Sequence, residues 1–278
     1  MQILITGSGG LLSPYLESCA KKYGDVITSS RNTGNYHCDL SNLNKVKELI
    51  SSVNPDWVIH LAGYTDVDGC QKNPDRAKKS NCDSTLNIAN SLDSRSSLAI
   101  ISTDQVYPDS SGPHLEKNIG PINIYGSTKL DGEKAIEEHN RTVILRTNFF
   151  GKSLTPNRKS FDDFVKDKVE TKSELFLFSD LLFSPLHMST LSHYVMLVLY
   201  KRIFGIYNLG SRNGFSKSKF GIEVLKAANL STENIKIMNS DNLLNRVNRS
   251  KDLRLDVERV EKKLGIRMPT LIQEIKKL

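Results

Sequence analysis

Short apolar, β-branched runs alternate with helically spaced segments through the first half of the chain. Gln2–Thr6 is one such run, ended by Gly7, and predicts a buried strand. Leu11–Tyr23 predicts a helix and Val26–Ser29 a second strand. Ser41 or Asn42 can cap a helix running through Ile50, with Leu43, Val46, Leu49 and Ile50 at helical spacing. Trp57–Ala62 reads as a strand, and Asp75–Leu92 as a helix with Leu86, Ile88 and Ala89 inward. Leu98–Ser102, Tyr125–His139 and Val143–Arg146 follow as strand, helix and strand. This alternation predicts an α/β fold, a Rossmann-like doubly wound parallel sheet with helices on both faces. After Gly151 the pattern loosens. Phe161–Val169 is amphipathic, Leu175–Phe178 and Ile206–Leu209 look like strands, and Phe215–Ala228 and Val257–Leu264 look like helices. The expected division is a dinucleotide-binding domain over 1–150 and a smaller, mainly substrate-binding lobe over 151–278, with some segments returning to the main domain.

Composition narrows the picture. The 278 residues can bury a full core. The net charge of +7, from 38 basic and 31 acidic side chains, comes without a block of Lys and Arg long enough for a nucleic-acid arm. Four scattered cysteines (Cys19, Cys38, Cys70, Cys82) form no Cys-x-x-Cys pair and fit a reducing compartment. The first residues carry no basic n-region, and the apolar run His193–Leu199 is too short to span a bilayer. A cytoplasmic protein without membrane or nucleic-acid partners is expected. The six histidines make no two-ligand spacing, so no metal site is expected.

The first strand runs into Gly7-Ser8-Gly9-Gly10-Leu11-Leu12-Ser13. Glycines there permit a tight turn and let backbone N–H groups approach a pyrophosphate at a helix N-terminus, which makes Gly7, Gly10, Leu11 and Leu12 cofactor-binding candidates. The second strand ends Thr28-Ser29-Ser30-Arg31 without the carboxylate that holds an NAD ribose. Arg31, with Ser29 or Ser30, is therefore expected on a 2′-phosphate, and NADPH is the expected cofactor, with NADH as the alternative.

The chemistry centres on Tyr125-Gly-Ser-Thr-Lys129. Residues four apart on a helix share a face. A phenol is a poor proton donor at neutral pH, and a cation beside it brings it closer to working range. With the glycine loop before it and Ser102-Thr103-Asp104 at a strand end, the pair carries far more weight than its spacing alone.

Several further stretches complete a pattern: Cys38-Asp39-Leu40, Leu61-Ala62-Gly63-Tyr64-Thr65-Asp66-Val67-Asp68, Asn81, Leu145-Arg146-Thr147 and Gly205-Ile206-Tyr207-Asn208-Leu209. Together the motifs resemble the extended short-chain dehydrogenase/reductases, and more narrowly the dTDP-4-dehydrorhamnose reductase family of nucleotide-sugar reductases. The resemblance implies that Asp39 and Leu40 border the adenine, and that Ala62, Gly63, Thr65 and Ser102 line the cofactor. Thr103, Tyr125 and Lys129 would be catalytic, with Tyr125 and Lys129 also touching the cofactor. Val67, Asp104, Gln105, Asn148 and Phe149 would lie near the hexose. Phe149 stands where the family usually has Trp, Gln105 where it often has Tyr, and Arg246-Val247 where it has Arg-Pro. The sugar-facing positions thus depart more than the catalytic ones.

The implied activity is NADPH-dependent reduction of the 4-keto group of a nucleotide-linked 4-keto-6-deoxyhexose, in deoxysugar or surface polysaccharide biosynthesis. A homodimer is compatible with it. His187 is a further sugar or phosphate candidate, because it lies in the half expected to face substrate, and Arg212 and Lys217 could meet a diphosphate. Two alternatives remain: an epimerase or dehydratase of the same scaffold, and a non-catalytic NADP-binding subunit.

Overall fold

The computed structural model describes residues 1–233, 235–242 and 246–278. In chain order the first six strands are β1 (Gln2–Thr6), β2 (Asp25–Ser30), β3 (Tyr36–His37), β4 (Trp57–His60), β5 (Ser97–Thr103) and β6 (Thr142–Thr147). Between them lie helices α1 (Ser13–Ala20), α2 (Leu43–Val53), α3 (Val67–Lys72), α4 (Pro74–Lys78), α5 (Ser84–Ala89) and α6 (Ile124–Lys134). Then follow β7 (Phe149–Phe150), α7 (Phe161–Glu170), β8 (Leu175–Phe178), β9 (Leu182–Phe183), β10 (Leu186–His187), α8 (Met188–Tyr200) and β11 (Gly205–Leu209). The chain closes with β12 (Phe215–Ser216), α9 (Lys217–Ala227), β13 (Ile235–Met238), β14 (Asp252–Leu253), α10 (Glu258–Leu264) and α11 (Leu271–Ile275).

The main sheet has seven strands in the order β11-β6-β5-β4-β1-β2-β3, all parallel. Its central strands read as unbroken apolar runs because helices cover both faces. Ile3, Ile5, Ile59, Ala99 and Leu145 pack on one side with Leu16 of α1 and Leu191 and Val195 of α8. Leu4, Val58, Leu98 and Ile144 pack on the other with Val46 and Leu49 of α2 and Ile88 of α5. The order reverses between β1 and β4, where a doubly wound sheet opens its ligand crevice.

The predicted boundaries shift for identifiable reasons. α2 begins after Asn42, whose side chain accepts from the backbone N–H groups of Asn44 and Lys45; Leu43, in the first turn, is exposed rather than inward. The predicted helix over 75–92 is α4, a π turn at Lys79–Asp83, and α5, and Leu86 is only half-buried. α6 ends at Lys134 because the following N–H groups bond three residues back, Ile136 to Glu133 and Glu137 to Lys134. Phe215 and Ser216 form a strand, with the Ser216 side chain capping α9.

α8 is a helix that the apolar run His193–Leu199 does not announce. It packs between α1 and the lobe, so only Ser189, His193 and Tyr200 are exposed and its solvent face is one narrow strip. With β11, it places residues 188–209 in the main body. The remaining lobe is built of short strand pairs, β10 with β7, β9 between β12 and β14, and β13 with β8, around Phe150, Phe183, Phe220 and Val224.

Candidate active site

The crevice begins at the loop after β1. Gly7 has φ +84°, and a Cβ there would lie 2.7 Å from the Ala62 backbone nitrogen, so only glycine lets the β1 and β4 loops meet. Its N–H, like that of Ser8, donates to Ser29 O. Leu12 stands at the N-cap of α1 without a side-chain cap, so the first-turn N–H groups remain available to an anion. The Leu12 side chain points into the core, with the half-buried Leu11 packed against it, and both can offer only backbone to a ligand. Gly10 N–H closes the turn on Gly7 O at 2.9 Å.

Arg31 is exposed just beyond β2, and its charge is felt at Asp39. The Asp39 carboxylate accepts from the Ser41 hydroxyl and backbone, which holds it below its usual range. Ser29 is fully buried with an unpartnered hydroxyl, and the Ser30 hydroxyl is engaged with Thr33, so neither is presented outward as expected beside Arg31. Leu40 is a core residue, whereas Gly63 and Thr65 are exposed and Ala62 is half-buried at the rim.

Thr103 ends β5, and Tyr125 and Lys129 lie one turn apart on α6. Asn123 caps α6 through the Gly126 N–H at 2.9 Å. The helix can lie this close because a Cβ at Gly126 would collide with Gln105 O and one at Gly132 with Asn81 O. All three side chains are buried. Lys129 Nζ donates to Ile101 O at 3.0 Å, and burial pushes its amine down to about 8, opposed by Glu133. Burial raises the Tyr125 phenol well above its ordinary value, opposed by hydrogen bonding with Thr103. This corrects the sequence expectation of a phenol drawn toward neutral pH: desolvation dominates, and Tyr125 is held as the protonated form.

Around this trio the structure brings together most of the predicted sugar-facing residues. Asp104 is buried and its carboxyl is pushed up to about 6 by desolvation, opposed by Asn148, Lys217 and Thr103. Asn148 Nδ2 donates to Asp104 Oδ2 at 2.6 Å, and Thr103 Oγ1 donates to Oδ1 at 3.2 Å. Gln105 Oε1 accepts from Asn123 Nδ2 at 3.0 Å. Val67 packs with Cys70 and Tyr125, and Phe149 lies half-buried next to Asn148.

Two candidates fall elsewhere. His187 is a structural N-cap: its ring accepts from the Ser189 N–H, its own N–H donates to Glu274, and Tyr15 and Phe150 meet it edge-on. Arg212 is committed to a two-point ion pair with Glu261.

Lys217, by contrast, stands over the Phe161 and Phe183 rings, close enough to Asp104, Arg246 and Arg249 for their charges to act on it. Its amine is pushed down to about 8 by burial and by Arg246. The segment carrying these arginines is pinned from far away in sequence. Arg249 pairs with Asp68 at 2.7 Å, the Val247 N–H donates to the same carboxylate, and Asn123 Nδ2 donates to Asn248 O at 3.2 Å. Sequence reasoning passed over Arg249 and noted Arg246 and Asn81 only as positions of the family pattern. Asn81 closes on Tyr64 and Thr128 by three hydrogen bonds, and its place in a π turn leaves no periodic signal. No group of side chains suited to a metal ion occurs among the described residues.

The match to known proteins extends over the same ground. The RmlD substrate binding domain matches residues 1–278. The probable low-salt glycan biosynthesis reductase Agl14 of Haloferax volcanii is 26% identical over 99% of this chain and 96% of that protein. The dTDP-4-dehydrorhamnose reductase of Escherichia coli (strain K12) is 33% identical over 54% of this chain and 51% of its own. Among solved structures, the dTDP-4-dehydrorhamnose reductase of Bacillus anthracis in complex with NADP superposes with a TM-score of 0.90 at 23% identity, covering 99% of this chain and 97% of that one. Because the match runs from the first residue to the last, the chain belongs to the RmlD substrate binding domain family.

Proposed function

We propose that this protein is an NADPH-dependent reductase acting on the 4-keto group of a nucleotide-linked 4-keto-6-deoxyhexose, for sugar biosynthesis. The observation that carries the reading is the convergence of Thr103, Tyr125 and Lys129 at the crevice rim, with a sugar-sized polar set (Asp104, Gln105, Asn148) beside them. The relatives named as dTDP-4-dehydrorhamnose reductases support it.

A dinucleotide fits the residues present: the Gly7 cradle is closed to any side chain, the first turn of α1 is uncapped, and Arg31 is exposed beyond β2 where a 2′-phosphate would be read. When bound, the nicotinamide supplies hydride. The chain's own residues supply the rest. Thr103, its hydroxyl turned from Asp104, and Tyr125 donate hydrogen bonds to the keto oxygen, and Tyr125, held protonated by burial, gives its proton to the oxygen as negative charge develops. The Lys129 ammonium stabilises the tyrosinate that remains. Gly7, Gly10, Leu11, Leu12, Asp39, Leu40, Ala62, Gly63, Thr65 and Ser102 would border the cofactor, and Val67 and Phe149 the sugar.

The crowding of Lys217, Arg246 and Arg249 supports an anionic substrate. Burial and the neighbouring arginines push down both the Lys217 amine and the Arg246 guanidinium, and a nucleotide diphosphate relieves that repulsion. In this reading residues 1–150, with α8 and β11, hold the cofactor, and the rest of 151–278 holds the sugar nucleotide. The test is to supply NADPH with several 4-keto-6-deoxy sugar nucleotides and identify the product. Stoichiometric NADPH oxidation with a C4 alcohol formed supports the reductase. Turnover on a catalytic amount of retained cofactor would favour an epimerase, and inertness toward every sugar tried would favour a binding subunit.

A further inference from the structure

One buried charge cluster stands behind the catalytic trio and is not used by the chemistry above. Arg146, on β6, is 2% exposed, and Glu133, one turn beyond Lys129 on α6, is 3% exposed. Arg146 Nε lies 3.0 Å from Glu133 Oε2 and 3.2 Å from Oε1, and Nη2 donates to Oε2 at 2.6 Å. The Ser102 hydroxyl donates to Glu133 Oε1. On the far side, Arg146 Nη1 donates to Glu116 O at 2.6 Å and to the Tyr107 hydroxyl at 3.2 Å. A buried ion pair is often no more stabilising than apolar side chains of the same volume, so stability alone does not account for this one. Its placement does. It joins the end of β5, where Ser102 precedes Thr103, to the helix bearing Tyr125 and Lys129 and to the strand leading into Asn148.

We propose that Glu133 is a positioning residue for the reduction: bound by Ser102 and Arg146, its carboxylate fixes α6 against the end of β5 and supplies the counter-charge for the Lys129 ammonium. The inference rests on the reductase reading for its kinetic consequence, but not for its electrostatic one. Facing Lys129 are Tyr125 and Glu133 on its own helix, His60 at the end of β4, the Ile101 carbonyl on β5, and Arg146 behind Glu133. Across the helix the π turn offers the neutral Asn81 to Thr128, and Asp104 lies near Tyr125. His60 is pushed down to about 3 by burial and by Lys129, so it stays neutral through the working range. Glu133 thus supplies the opposing charge to an amine already pushed down to about 8.

The sign follows. Lys129 loses its proton as pH rises, giving an alkaline limb to turnover; removing the Glu133 charge moves that limb to lower pH. The test compares Glu133→Gln, which keeps size, with Glu133→Asp, which keeps charge. Glu133→Gln is expected to move the limb of kcat down by about one pH unit, with kcat falling more than KM changes, and Glu133→Asp to move it by less than half as much. A limb that stays at the parent pH in Glu133→Gln, whatever its activity or melting temperature, overturns the proposal. If that variant does not fold, Glu133→Asp decides alone: a limb displaced by a full pH unit although the charge is kept refutes the electrostatic role. NMR titration of the lysine amines in protein labelled at Nζ reads the same displacement without turnover. An unchanged Lys129 titration sinks the proposal even if no keto-sugar is reduced, and a displaced one in an inert protein sinks only the reductase reading.

Discussion

The catalytic rim and the lobe opposite it solve the same problem, holding polar groups against a substrate, by different means. On the rim, Thr103, Tyr125 and Lys129 come from one strand end and one helix, fixed by main-chain packing in which Gly126 and Gly132 admit no side chain. In the lobe, Lys217, Arg246 and Arg249 come from a helix start and a strap, held by charges as distant as Asp68. The rim is made by local geometry and the lobe by long-range electrostatics. The rim therefore suits chemistry common to many substrates, and the lobe suits discrimination among them.

The sharpest way to break this contrast is Tyr125→Phe. It should cost about 10²–10⁴-fold in turnover while leaving NADPH affinity near the parent value, read by fluorescence titration. Near-normal turnover would remove Tyr125 from the mechanism.

Asp104, where the two regions meet, comes next. Its folded carboxyl titrates at about 6 against an ordinary 3.8, so the folded state holds a proton that the unfolded chain has released. Its contribution to stability is complete below pH about 4 and is lost as pH rises through about 6, by up to about 3 kcal/mol. Asp104→Asn should flatten urea-derived stability over that window, and a slope unchanged from the parent would contradict the burial argument.

A smaller effect is expected from Lys217→Met. Losing one charged contact to a diphosphate should raise KM about ten- to a hundredfold and leave kcat within a few-fold. A fall confined to kcat would move Lys217 from the lobe's function to the rim's. The mildest is Arg31→Ala, expected to narrow the preference for NADPH over NADH by about tenfold, or about 1.4 kcal/mol. An unaltered ratio of the two cofactor affinities would exclude Arg31 from 2′-phosphate recognition.

The same contrast governs what the residues revealed before folding. The rim was legible because each piece is contiguous: Gly7 through Leu12, Thr103-Asp104, and Tyr125 through Lys129 each occupy one turn or strand end, so spacing encodes geometry. The central strands were legible because burial on both faces leaves uninterrupted apolar runs. α8 escaped because its exposed strip, Ser189, His193 and Tyr200, is too narrow to give a clear helical period, and the π turn at Lys79–Asp83 because one extra residue per turn breaks it. His187 looked like a ligand from its neighbourhood, yet its ring caps a helix and packs against two aromatic rings, a use that spacing does not distinguish from substrate contact. Arg212 looked free because Glu261, its partner, lies 49 residues away. Arg249 and Asp68, 181 residues apart, meet only through the whole fold.

The position of β11 on the outer flank of the main sheet has a practical corollary. Cutting the chain at residue 150 would strip β6 of that neighbour and α1 of α8, baring a row of unsatisfied backbone groups and an apolar face at once. The amino-terminal half is thus no detachable module. An isolated fragment of it should self-associate, and transplanting either half onto a cousin would require carrying residues 188–209 along with the first 150.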